Sequence, residues 1–367
     1  MLRDLIMKRT FYFTFCCVLT LGIVFKSCKK DDDTDPEEVV EQQFIDWGDV
    51  YFIGYRMDEY LGAPNYYKNN IAYPLEVNGD TKVYPADIAV SDGDVYVVGT
   101  ENMEAGLVPK VVIWKNGKRS ELPIPESKEA QATSVFIKGK DVFVTGLYVP
   151  KNLERGVGVV WKNGEPIFKT DGKRTTRFKE VIVVGDDVYA VGHEHLPEGG
   201  IVSKYWKNGK AVKMSDPDIV TYTTSIAVDG SDIYVLGYID ELSKTNRSLT
   251  LWKNQQPQHL ISSRSVIRGG KVVFENGSVY ACGYEQVGSK YEPRLFKDGV
   301  IQHLEDNNSN HTYTSDLKVY QDNALVLGRM YGENTLTKSV LWVNGKAVDL
   351  VGFENNIFLT EFDVAPY

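Results

Sequence analysis

His193-Glu194-His195 is the one closely spaced histidine pair in the chain. On extended backbone, residues i and i+2 share a face, so the two imidazoles supply two ligands of a transition-metal site. No third ligand is evident in the sequence, and the competing reading is a pair of exposed loop histidines. A second constellation is acidic. Asp87, Glu180, Asp316 and Glu361, with Ser134, Ser225 and Lys271, fall at equivalent positions of a recurring segment. Carboxylate and hydroxyl oxygens converging on one axis suit a hard cation such as calcium. The alternative is that each bonds a neighbouring strand or water. Cys282 aligns with Val98, Val191, Leu236 and Leu327 and reads as a buried inert thiol. Lys169, Lys173, Arg174, Arg177 and Lys179 form a basic stretch in an acidic chain, suited to an anionic glycan or simply solvated. No glycine-rich phosphate loop, Ser-His-Asp ordering or zincin motif is present.

The elements that position these groups repeat. An apolar pair, a short Gly/Asp turn, Asp-Val-Tyr-Val-x-Gly, a variable stretch and Trp-Lys-Asn-Gly recur every 45–47 residues. The first half closes at Gly54, Gly99, Gly146, Gly192, Gly237, Gly283 and Gly328; the second is anchored at Tyr67, Trp114, Trp161, Trp206, Trp252, Phe296 and Trp342. Seven units of this period, made of short strands, predict an all-β fold: a seven-bladed β-propeller of four-stranded antiparallel blades. Segments such as Val95–Val98 and Ile233–Leu236 are apolar on both faces and need cover on both, which neighbouring blades supply.

Asn116-Gly117, Asn163-Gly164, Asn208-Gly209 and Asn344-Gly345 provide the two positive-φ positions of type I′ hairpins; Asn254-Gln255 is the poorest match. The aromatic before each turn is expected to pack between blades. Thr360–Val364 matches the first strand of a unit and has no second strand after it. The C-terminal strand is therefore expected to complete blade 1 and close the ring, with Gln42–Ile45 as the alternative occupant.

In up-and-down blades the tight turns share one edge, so the long connections lie on the other. These include the segments beginning at Tyr55, Leu147, His193, Tyr238, Tyr284 and Arg329. That face is the expected binding surface, with Arg56, Tyr60, Tyr148, His193, His195, Tyr238, Tyr284, Arg329 and Tyr331 as ligand-contacting candidates.

The chain has 367 residues, 43% of them hydrophobic, which supports a sizeable core. A net charge of −9 argues against nucleic acid, and four cysteines cannot build a disulfide scaffold. Lys8-Arg9 followed by the apolar run Phe11–Phe25 has the layout of a secretory signal. Phe25-Lys26-Ser27-Cys28 resembles the lipobox of bacterial lipoproteins, which implies lipidation of Cys28, a signal peptide at 1–27, an acidic tether at 28–42 and a propeller at 43–367. Lys29-Lys30-Asp31-Asp32-Asp33 resembles the surface-export signal of some Gram-negative lipoproteins. It implies a lipid-anchored protein of the outer membrane facing outward, with a periplasmic orientation as the alternative. The repeats resemble the WKNG-type extracellular propeller repeats of bacterial surface proteins and, more distantly, HAF-family repeats, families that imply no particular chemistry.

The resulting expectation is a monomeric binding or scaffold protein that recognises a glycan or an extracellular protein through its long-loop face. It has no catalytic residues and no cofactor beyond a structural calcium ion. The competing readings are a glycoside hydrolase or lyase with acids in the central funnel, which needs two carboxylates about 5–10 Å apart, and an assembly component of an envelope complex.

Overall fold

The residues that recur in each unit hold one another. Asp94 Oδ1 accepts the Asn116 Nδ2–H at 2.7 Å, its Oδ2 pairs with Lys115 at 2.6 Å, and Asn116 Oδ1 accepts the Val95 N–H at 2.8 Å. Lys115 also lies over the Tyr96 ring, 5.3 Å from its centre. The same side-chain bond ties Asn69 to Asp49, Asn163 to Asp141, Asn208 to Asp187 and Asn254 to Asp232. Asp-Val-Tyr and Lys-Asn-Gly are thus two halves of one clamp that joins adjacent hairpin ends. Exposed ion pairs add little energy, so the clamp acts chiefly by fixing register. The turns adopt the expected backbone, with φ of 51° at Asn116 and 79° at Gly117; Gln255 is forced to φ 70°.

The computed structural model describes residues 48–56, 64–79, 81–103, 106–197, 199–216, 219–241, 246–306, 309, 311–332, 337–348, 350, 353 and 357–365. The signal segment, Cys28, the tether, Gln42–Ile45 and Tyr60 lie outside the described residues. Among those described there is no helix. Five four-stranded antiparallel sheets form, each ordered as the chain runs except the one that contains the C-terminus. Their first strands are Val83–Ser91, Ser127–Lys138, Thr175–Val184, Val220–Asp229 and the C-terminal Ile357–Ala365. The last of these pairs with Asp49–Arg56, from Asp49 opposite Ala365 to Arg56 opposite Ile357.

The sixth and seventh repeats, whose first strands are Ile267–Glu275 and His311–Tyr320, differ from the expected separate sheets. One parallel pair, Tyr291 with His311, joins them into an eight-stranded sheet. The Tyr291 N–H donates to His311 Nδ1 at 3.3 Å and the rings lie 5.3 Å apart, enough to bridge the gap at that point.

Each first strand carries a bulge opposite the closing glycine, for example between Phe178 and Glu180 opposite Gly192. A Cβ on Gly237 would sit 2.2 Å from the Tyr222 carbonyl oxygen, and one on Gly328 would meet Tyr313 O at 2.1 Å and the Trp342 ring at 2.6 Å. The glycine recurs because backbone and indole both crowd that spot.

The core lies between successive sheets. Tyr51, Ile53 and Leu75 pack with Ile88, Val97 and Trp114, and Phe143 and Val160 pack with Phe178, Ala190 and Trp206. Leu325, Leu327 and Leu341 pack with Phe52, Leu359 and Phe362. Trp114, Trp161 and Trp342 are fully buried, and their Nε1–H groups donate to the carbonyls of Glu76, Pro123 and Glu305. Buried indoles of this kind are unavailable as a sugar-stacking row.

Candidate functional site

The bulges place two tiers of side chains. In the inner tier, Asp87, Glu180, Ser225 and Asp316, each just after a bulge, reach forward to the next repeat. Asp87 Oδ2 accepts the Val135 N–H at 2.8 Å, Glu180 Oε2 accepts the Ile226 N–H at 2.7 Å, and Asp316 Oδ2 accepts the Phe362 N–H at 3.1 Å. Ser225 Oγ accepts the Val272 N–H at 3.0 Å and donates to Glu180 Oε2 at 2.7 Å. Lys271 pairs with Glu180 Oε1 at 2.6 Å.

Burial pulls the Lys271 ammonium down, but Glu180, Asp316, Asp87 and Glu361 override it and hold it well above the usual lysine range. Burial, and then the charge of Asp316, drives Glu361 well above the usual carboxylate range. Burial also raises Asp87, against the opposing pull of Lys271 and Lys318.

Asp87, Glu180, Asp316 and Glu361 thus sit in one electrostatic neighbourhood, but not as the expected calcium cradle. The oxygens of Asp87, Glu180 and Asp316 are occupied by amides, a hydroxyl and a lysine, and Lys271 brings a positive charge among them. Among the described residues no three His, Cys, Asp or Glu side chains gather into a metal site. Cys282 is fully buried and its thiol is pushed up to about 12 by burial, so it is no nucleophile.

The outer tier lies on the loop side of the bulges. Residues one past the closing glycine pair across with first-strand residues: His193 with Arg177, Tyr238 with Tyr222, Tyr284 with Arg268, Arg329 with Tyr313 and Tyr55 with Phe358. Ring and guanidinium contacts run along this tier in an arc of three groups. His193 lies 5.4 Å from Tyr222, Tyr222 stacks on Tyr238 at 4.9 Å, and the Arg268 guanidinium sits 4.7 Å above Tyr238. Tyr284 meets Tyr313 at 4.9 Å, and Tyr313 meets Tyr331 at 5.4 Å. The Arg329 guanidinium lies 5.4 Å above Phe358, on which Tyr55 stacks at 5.4 Å.

His193 and His195 do come together, with ring centres 5.6 Å apart, but on the strand Asp187–His195 rather than in an exposed loop. His193 is a correction: at 3% exposed it is buried beneath the arc and backs its rings instead of contacting a ligand. Burial, helped by the positive charges of Lys179 and Arg177, depresses His193 to about 3. Burial and Arg177 also lower His195. Two cations beside neutral imidazoles disfavour a further positive ion. Lys179 is solvent-accessible, yet protein surrounds it closely enough that desolvation pulls its ammonium below the usual lysine range. Burial raises the Tyr238 and Tyr284 phenols, which stay protonated.

Of the remaining expected contact residues, Tyr331 is half-buried beside the arc. Arg56 ends its strand opposite Ile357. Tyr148 is a correction: it is 5% exposed, inside the core cluster of Val98, Val144 and Trp161, because it falls two positions past Gly146 and so turns to the other face of its sheet. Sequence reasoning missed Tyr222, Arg268, Tyr313 and Phe358 as parts of the arc. The signal was their equivalent place on the first strand, two residues before the bulge.

No family model matches the chain, and no curated protein matches it. Among solved structures, a prolyl endopeptidase aligns with a TM-score of 0.53 at 12% identity, covering 87% of this chain and 50% of that one. The β-propeller domain of the Trilobed protease from Pyrococcus furiosus aligns at 0.40 and 14% identity, covering 75% of this chain and 99% of that one. AofleA from Arthrobotrys oligospora aligns at 0.43 and 11% identity, covering 78% and 91%. The chain spans about half the length of the peptidase structures it matches, 52% for the acylaminoacyl peptidase of Pyrococcus horikoshii and 50% for the prolyl endopeptidase. The architecture is that of a β-propeller scaffold, and identities this low speak to fold alone.

Proposed function

We propose that this chain is a surface lipoprotein whose seven-bladed β-propeller binds a glycan or an extracellular protein through the mouth on its long-loop side. The anchor is read from Cys28 and the segment before it. Seven blades are supported by the seven repeats, and closure by the C-terminal strand is supported by the pairing of Ile357–Ala365 with Asp49–Arg56 and by the packing of Leu325 and Leu341 against Phe52 and Phe362. A rigid ring of this kind holds side chains from several blades around one opening, where exposed connections vary freely.

The observation that carries the binding reading is the half-buried arc Tyr222–Tyr238–Arg268 with Tyr284–Tyr313–Arg329, backed at one end by the buried His193. Aromatic and arginine side chains in a partly solvated concavity are the residues most enriched at recognition sites. The test is a screen of the full chain against a glycan array and extracellular protein preparations, beside a Tyr238→Ala/Tyr284→Ala variant with an unchanged melting temperature. Ligand retained by the native chain and lost by the variant supports the reading; ligand bound equally by both removes it.

A second reading, a carbohydrate-active enzyme, has one observation in its favour: burial and the neighbouring Asp316 raise the Glu361 carboxyl well above the usual carboxylate range, the direction a general acid requires. It predicts release of reducing ends from a polysaccharide, abolished by Glu361→Gln. An inactive native chain across such a panel sinks it.

A further inference from the structure

Among the described residues near the mouth, acids and bases pair along one row, and three arginines stand outside that pairing. One position beyond the arc, Glu101 takes both forks of Arg119 at 2.7 and 2.6 Å, Glu194 takes Lys204 at 2.5 Å, and Glu285 takes Arg294 at 2.7 Å. Each acid on that row has its own cation. Arg177, Arg268 and Arg329 have no carboxylate partner among the described residues. Arg268 gives one N–H to the Ile267 carbonyl at 2.8 Å, and Arg329 Nε is buried without any partner. Lys179 and the partnerless His193 Nδ1 add further donors or positive charge beside Arg177. In a chain of net charge −9, an unneutralised cationic cluster on one side of one opening is a local reversal of sign.

Three guanidinium groups without a carboxylate among the described residues favour an anion brought by a ligand. Arg268 and Arg329 already lie over the Tyr238 and Phe358 rings, which limits where they can reach, and their N–H groups other than the buried Arg329 Nε can fork onto an oxyanion. Arg177 and Arg268 stand on the first strands of repeats four and six, with the stacked Tyr222 and Tyr238 of repeat five between them. Cation, aromatic face, cation is the order that an oligosaccharide with charged residues flanking a sugar ring would fill. A single small anion would span only one end of it.

Resting on the binding reading above, we propose that the mouth binds an acidic oligosaccharide, with Arg177, Arg268 and Arg329 receiving its carboxylate or sulfate groups and Tyr222, Tyr238 and Tyr284 packing its sugar faces. The test is titration calorimetry on the full chain with three probes: a short oligogalacturonate, a sulfated oligosaccharide, and the neutral oligomer made by reducing the carboxylates of the first. Each is repeated with Arg268→Gln/Arg329→Gln and with Tyr238→Ala/Tyr284→Ala, both checked for unchanged melting. At least one acidic probe is expected to bind, weaken with added salt, and lose about 10- to 100-fold in affinity in the arginine variant. Which acidic probe binds distinguishes carboxylate from sulfate. A neutral oligomer that binds as tightly, or an acidic one indifferent to the arginine change, overturns the charge inference. If that binding is still lost in the tyrosine variant, the mouth remains the binding face; no binding by any of the three probes overturns the acidic-oligosaccharide inference, and the wider array then decides the face.

Discussion

Asp316 accepts the backbone N–H of Phe362 across 46 positions of sequence, so a carboxylate of the last repeat holds the C-terminal strand. Its other oxygen accepts the Leu317 N–H at 2.8 Å. Removing the side chain leaves two buried amides without an acceptor. Asp316→Ala is expected to destabilise by about 2–3 kcal/mol in chemical denaturation, and Asp316→Asn, which keeps one acceptor, by about half that. If Asp316→Ala unfolds at the native midpoint, the tie between the seventh repeat and the C-terminal strand contributes nothing.

Backbone conformation gives two opposite predictions. Gln255 occupies the left-handed region with φ 70° where most other repeats place glycine. Gln255→Gly should stabilise by about 0.5–1 kcal/mol, the steric relief exceeding the added freedom of the unfolded chain. Gly237→Ala drives a methyl group to 2.2 Å from the Tyr222 oxygen, which lies beneath the arc. It should cost about 1–3 kcal/mol and weaken ligand binding together with it. Thermal melts of both variants give the signs.

The pH dependence separates the two tiers. The Glu361 carboxyl is raised in the folded state, so its contribution is complete below the ordinary value of 4.5 and is lost as pH climbs through the raised value. His193 is lowered from 6.5 to about 3, so its contribution is complete above 6.5 and is lost as pH falls toward 3. Glu361→Gln should flatten the decline on the alkaline side and leave the acid limb alone. His193→Gln should do the reverse. Melting temperatures from pH 3 to pH 8 for the three proteins check this, and parallel curves would refute both assignments.

The four-stranded units, their hairpin turns and the pairing of the last strand with Asp49–Arg56 are legible because the signals are local. Asn-Gly dictates its own dihedrals, and Asp, Tyr, Lys and Asn recur because they touch one another. The arc is only half legible. His193, Tyr238, Tyr284 and Arg329 follow the closing glycine and stand out in the repeat, whereas Tyr222, Arg268, Tyr313 and Phe358 lie across a bulge. A bulge inserts one residue and reverses the parity of sides along the strand, so counting from the carboxylate row assigns these four to the wrong neighbours. Tyr148 fails for a related reason, being one residue out of phase with the mouth. Aligning the repeats exposes the carboxylates, but their occupation by backbone amides depends on the distance between strands of different repeats, which no local pattern encodes.

The claim most in need of a direct test is that ligand meets the side of the sheets bearing the His193–Arg329 arc. Hydrogen exchange of the full chain with and without the ligand found in the screen should show protection in Arg177–His195, Tyr222–Asp240 and Arg268–Glu285, with none at the hairpins Asn116-Gly117, Asn163-Gly164 and Asn208-Gly209. Protection confined to those Asn-Gly hairpins, with the arc unchanged, would contradict the account.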